Sequence, residues 1–171
     1  GSGTYGAMNT WDVSLITDMS SLFNGKFFNE DISNWDVSNV TSMGSMFAYA
    51  SSFNQPLNDW DTSSVYSMES MFYEATDFNQ DISSWDVSNF INMTFMFYNA
   101  SSFNQDISNW CVTYIGFEPT EFSTDSPLSE SNQPVWGTCP STTAIPDANF
   151  EQALIDLGYD SGEIDGHVLT A

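Results

Sequence analysis

Apolar positions along the chain return with a period of about 25 residues. Trp11, Trp35, Trp60, Trp85 and Trp110 succeed one another at steps of 24, 25, 25 and 25. Phe28, Phe53, Phe78 and Phe103 keep the longer step, each with an asparagine next to it: Asn29, Asn54, Asn79 and Asn104. Met19, Met43, Met68 and Met93 form a further column, as do Leu22, Met46, Met71 and Met96, and then Phe23, Phe47, Phe72 and Phe97. The one short step comes from a residue missing between Phe23 and Phe28. Self-similarity at a fixed period of this length marks a repeat architecture, here of four tandem units.

Inside a unit the spacing predicts the elements. Val40, Met43, Met46, Phe47 and Ala50 lie three, four or a few more residues apart, which predicts a short helix. Ser38 or Asn39 would cap it, after a turn over Asp36 to Asn39. The apolar residues of Phe53 to Trp60, and of Phe78 to Trp85, predict a short extended segment. The expected fold is therefore α/β: a leucine-rich-repeat-like solenoid of strand-turn-helix coils of about 25 residues, with a parallel β-sheet. Residues 1–140 would form this solenoid. They include an N-terminal cap over Tyr5 to Trp11, a first helix near Leu15 to Asn24, and a C-terminal cap over 111–140. Residues 141–171 read as a linker and the truncated start of a following domain, with Phe150, Ala153, Leu154 and Leu157 on one helix face.

Charge narrows the partners. One basic residue, Lys26, stands against 23 acidic ones, for a formal net charge of -22. Nucleic acid is excluded as a partner, because its binding rests on cationic side chains, and anionic membrane surfaces are equally unfavourable. No apolar run is long enough for membrane insertion. Cations or a basic partner fit the charge, which also serves solubility. Cys111 and Cys139 are an even pair in a chain of extracellular character, and a disulfide is the natural reading, with two reduced thiols as the alternative. A bridge would staple the 111–140 cap.

The candidate chemistry is sparse. His167 is the only histidine and lies beyond the repeats, so no nucleophile-histidine arrangement fits inside them. Carboxylates recur by translation and offer many equivalent positions instead of one poised pair. The expectation is a protein that is not an enzyme and needs no cofactor. Seven of the eight methionines sit in the columns and read as core. Asp36, Asp61 and Asp86, with Asp12, form a file about 4.8 Å apart if they flank strands. Turn hydrogen bonds to these carboxylates are the leading explanation, and Ca²⁺ bridging of adjacent coils is the alternative. The stretch from Asp160 to Gly166 has weak calcium-loop character. The asparagine column suggests an inward ladder bonded to the backbone of successive coils. Asp31, Asp81 and Asp106, with Gln55, Gln80 and Gln105, are the candidate binding files on an exposed strand face.

The stretch from Phe28 to Met43 and MFAYASSFNQ, Met46 to Gln55, resemble the BspA-like leucine-rich-repeat surface proteins of bacteria. The likeness runs from residue 11 to 110. The close over 109–140 and the segment Ile145 to Gly158 are similar to the segments found after such arrays in secreted bacterial proteins. Pro56 in place of Asp, Thr62 in place of Val, and the short first unit depart from the pattern. The resemblance implies a leucine-rich-type fold, display at the bacterial surface or secretion, and adhesion to proteins or glycans. It carries no catalytic residues. The expected function is a non-catalytic extracellular interaction and adhesion module. The alternative is a structural spacer, with or without Ca²⁺. Ice binding is disfavoured by outward positions that are mixed and charged. Oligomeric state is not legible.

Overall fold

In a computed structural model the chain divides into two units, Gly1–Cys139 and Pro140–Ala171. The structure describes residues 6–89 and 91–140. The expectations placed on 141–171, His167 among them, lie outside the described residues, as does Tyr5 of the N-terminal cap.

The expected α/β solenoid with strands, helices and a parallel sheet is not what forms. Among the described residues there is no α-helix and no β-strand. The regular elements are two single-turn 3-10 helices, Met8–Thr10 and Glu130–Asn132. Sheet-like pairing is reduced to single parallel bridges, Asp18 to Ser42, Ser42 to Ser67, and Ser67 to Asn92. Neither the helix over Val40 to Ala50 nor the extended segments at Phe53 to Trp60 and Phe78 to Trp85 appear. The leucine-rich-repeat architecture fails with them.

The hydrogen bonds show why. Met46, Ala48 and Ala50 each donate N–H to the carbonyl three residues earlier, at 3.0–3.2 Å. The intervening residues Met43, Ser45, Phe47 and Tyr49 instead donate to Ser67, Glu69, Met71 and Tyr73 of the following coil, at 2.7–2.9 Å. An α-helix would satisfy every N–H within its own segment. Here alternate peptide groups turn out of the coil and lie along the stack, so a run of overlapping turns replaces the helix. Apolar spacing of three and four residues is common to both arrangements, which is why the pattern alone misleads.

Turning alternate peptides requires a reversal of backbone hand. Ser45 and Tyr49 sit at φ 55° and 59°, and the same two places recur at Ser70 and Glu74 and at Phe95 and Asn99. Glycine occupies one of these places only in the first coil, at Gly25 with φ 67°. Each other residue there bears a steric cost of about 1–2 kcal/mol that the bonds between coils must offset. Ser70→Gly should therefore raise stability by roughly 0.5–1 kcal/mol, and Ser70→Val should lower it by about 1–2 kcal/mol, in urea unfolding. In an α-helix, glycine at this place would instead cost about 1 kcal/mol.

The core repeats with the coils. Phe47 and Phe53 stack at 4.0 Å, Phe72 and Phe78 at 3.9 Å, and Phe97 and Phe103 at 4.0 Å. Phe47, Phe72 and Phe97 continue from coil to coil at 5.6 and 5.7 Å with nearly parallel planes. Trp60, Trp85 and Trp110 are buried, each with its indole N–H satisfied by the coil before it. Trp60 donates to the Ile32 carbonyl, Trp85 to Leu57 and Trp110 to Ile82. Thr62 is buried where Val37 and Val87 stand in other coils, and its hydroxyl donates to the Asp86 carbonyl at 2.9 Å. The valine-to-threonine departure therefore leaves no polar atom stranded.

Past Trp110 the residues pack as a fifth coil. Phe122 stands edge-on to Phe97 and to Trp136, at 89° and 83°, so the parallel ring column ends there. The Cys111–Cys139 disulfide is formed, beside the bond from the Val112 N–H to the Thr138 carbonyl.

Candidate functional site

Turn chemistry fixes the predicted carboxylates. In the first file, Asp12, Asp36, Asp61 and Asp86 each accept both the backbone N–H and the hydroxyl of the serine two residues on. Asp31, Asp81 and Asp106 accept the N–H of Ser33, Ser83 and Ser108 at 2.9–3.0 Å. At Asp12, Asp31, Asp36, Asp81 and Asp106 these bonds favour the ionised form. Asp12, Asp36 and Asp106 are held below the usual carboxylate range first by the serine hydroxyl and then by the serine N–H. For Asp31 and Asp81 the backbone bond comes first. At Asp36 the neighbouring Asp12 charge pushes the other way and is outweighed. Among the described residues no three acidic, histidine or cysteine side chains come together as an ion site. The first file is thus occupied with holding its own turns.

The glutamine file is likewise tied down. Gln55 and Gln80 donate their side-chain N–H to the Oδ1 of Asn29 and Asn54 of the preceding coil, at 3.0 and 2.9 Å. Gln105 does the same to Asn79. Those asparagine oxygens also accept the backbone N–H of Asn54, Asn79 and Asn104. The result is an amide ladder on the surface, not inside the coil as the asparagine column suggested. Of the predicted binding residues, Asp81, Gln105 and Asp106 come together, with Ser83 and Asn109, around a shallow polar depression of about 270 Å³. Asp31 and Gln55 lie in earlier coils and do not line it.

A surface feature absent from the predicted sites is aromatic. Tyr49, Tyr73 and Tyr98 run as a strip along the stack, with ring centroids 5.2 and 4.9 Å apart. Phe95 closes one flank by edge contacts with Tyr73 and Tyr98. Tyr49 is half exposed, and Tyr73 and Tyr98 are partly so. Packing against its neighbours raises the Tyr73 hydroxyl pKa, first by desolvation and then by the nearby Tyr49. Tyr73 and Tyr98 occupy one column of the repeat, a signal present in the sequence. Tyr49 belongs to the next column, and only the structure shows its ring beside Tyr73.

The fold and this surface define a tandem-repeat protein of stacked, turn-built coils carrying files of acidic, amide and tyrosine side chains. The chain belongs to the family described as "Mycoplasma protein of unknown function, DUF285", which matches residues 3–110. No curated protein and no solved structure matches it. No helix among the described residues is long and apolar enough to cross a membrane.

Proposed function

We propose that this protein is a non-catalytic interaction module of the BspA-like kind, displayed at the bacterial surface or secreted, whose partner is a protein with a basic surface. The tyrosine strip carries the reading. Tyrosine gives large, amphipathic contact area at low entropic cost and is enriched at binding hot spots. Ring contacts along the strip, stacked between Tyr73 and Tyr98 and tilted between Tyr49 and Tyr73, fix these rings before any partner arrives, which lowers the ordering cost of binding. A formal charge of -22 steers basic partners and repels acidic ones. The disulfide is consistent with an oxidising exterior.

The test is binding of a panel of purified extracellular proteins with basic surfaces to the immobilised chain. The comparison is a Tyr49→Ser, Tyr73→Ser, Tyr98→Ser variant whose thermal melt shows it folded. Binding by the parent that weakens at least tenfold in the variant, as loss of one or two hot-spot contacts implies, supports the reading. Equal binding by both proteins, or none by the parent, rejects it.

A further inference from the structure

The two ends of the stack are not alike, and they fit each other. In the first coil, Trp11 is 39% exposed, whereas Trp35 is 5% and Trp110 2% exposed. Leu22 is 46% exposed, whereas Met46, in the same column, is fully buried. Ile16 is exposed where Val40 and Val65 are covered. Two apolar depressions, of about 530 and 470 Å³, share Trp11, Val13 and Ile16 in their lining. The first coil therefore leaves Ile16 and Leu22 uncovered at positions that are covered in the inner coils, while its Met19 and Phe23 stay buried.

The backbone sharpens the fit. In the inner coils the carbonyls of Ser42, Gly44, Met46 and Ala48 accept from Met19, Ser21, Phe23 and Gly25. Their first-coil equivalents, the carbonyls of Asp18, Ser20, Leu22 and Asn24, have no donor among the described residues. At the other end Phe95, Phe97 and Asn99 donate to Thr120, Phe122 and Thr124. The next N–H groups in those columns, of Glu121, Ser123 and Asp125, have no acceptor among the described residues. One end is thus a row of acceptors and the other a row of donors, at the same two-residue spacing. Phe117 and Val135, both largely exposed, add apolar surface to the fifth coil.

An ordinary β-strand presents N–H and C=O alternately along each edge. Against a row of carbonyls, every second group would meet its like. Two copies joined through their first coils would set carbonyl against carbonyl. Only a row of N–H groups matches, and this protein carries one. We propose that the first coil docks the fifth coil of a second copy, head to tail, and so continues the hydrogen-bond columns across molecules. Such a contact is heterologous and extends to chains. It does not depend on the partner proposed above. The shared negative charge opposes it, so salt strengthens it by screening.

Sedimentation velocity over a range of protein concentrations, at low and high NaCl, tests the proposal. The parent should shift from monomer to dimer and longer species, further at high salt. Leu22→Asp with Ile16→Asp, and separately Phe117→Asp with Val135→Asp, alter residues already exposed in the monomer. Each variant alone should remain monomeric. Mixed, they should form a one-to-one dimer that grows no further, because each retains one competent end. A parent that stays monomeric at every concentration and salt would overturn the proposal. So would the Phe117/Val135 variant pairing with itself, or a mixture of folded variants that does not combine.

Discussion

Phe72→Ala is expected to lower stability by about 3–5 kcal/mol, the range for emptying a buried phenylalanine site. Phe72 is fully buried in a central coil, 3.9 Å from Phe78 and 5.6 and 5.7 Å from Phe47 and Phe97. Its loss removes a ring from both the stack within the coil and the column between coils. The cavity has little means of closing, because the Phe72 N–H and Met71 carbonyl are held to Met96 and Phe47 of the adjoining coils. Phe27→Ala is the control: that ring is almost wholly exposed, and a change within about 0.5 kcal/mol is expected. Urea midpoints of the two variants decide it. A Phe72→Ala cost near that of the control would mean that the ring column is not what binds the coils.

The second large effect lies at the far end. Replacing Cys111 and Cys139 together by serine should cost about 3–4 kcal/mol on the chain-entropy account, because the bridge closes a loop with a sequence separation of 28. The loss should be uneven. Coil five rests on Phe122, Trp136 and four backbone bonds from Phe95, Phe97, Asn99 and Ile107, and it has no coil beyond it among the described residues. Hydrogen exchange in the serine variant should therefore accelerate first at Val112 and at the four donors facing coil five. The amides of Met43, Ser45 and Phe47, deep in the stack, should hold their protection. Uniform acceleration would mean that the stack unfolds as one unit and that the bridge guards the whole of it.

The cysteine pair shows how far residue types alone can reach. Two cysteines in an acidic, repeat-built chain left a disulfide and two thiols open, and the geometry settles on the disulfide. The aspartate files were visible as columns, and so was the leading account of them as turn residues. The asparagine ladder from coil to coil was visible too; what the sequence did not show is that it lies at the surface and that the glutamine side chains bond into it. An amide looks the same in a sequence whether its donors face water or the coil before.

Period, column identity and the residues of the core were set by the sequence alone, because burial repeats wherever equivalent apolar side chains recur at a constant step. The path of the backbone through each period was not. Met43, Met46, Phe47 and Ala50 keep one side apolar in a helix and in a run of overlapping turns alike. The choice depends on where alternate N–H groups find acceptors. Those acceptors are carbonyls about 25 positions away, in the next coil. Only the stacked structure brings them within reach. Once there, they favour a left-handed step at serine, tyrosine and glutamate that local preference would have refused.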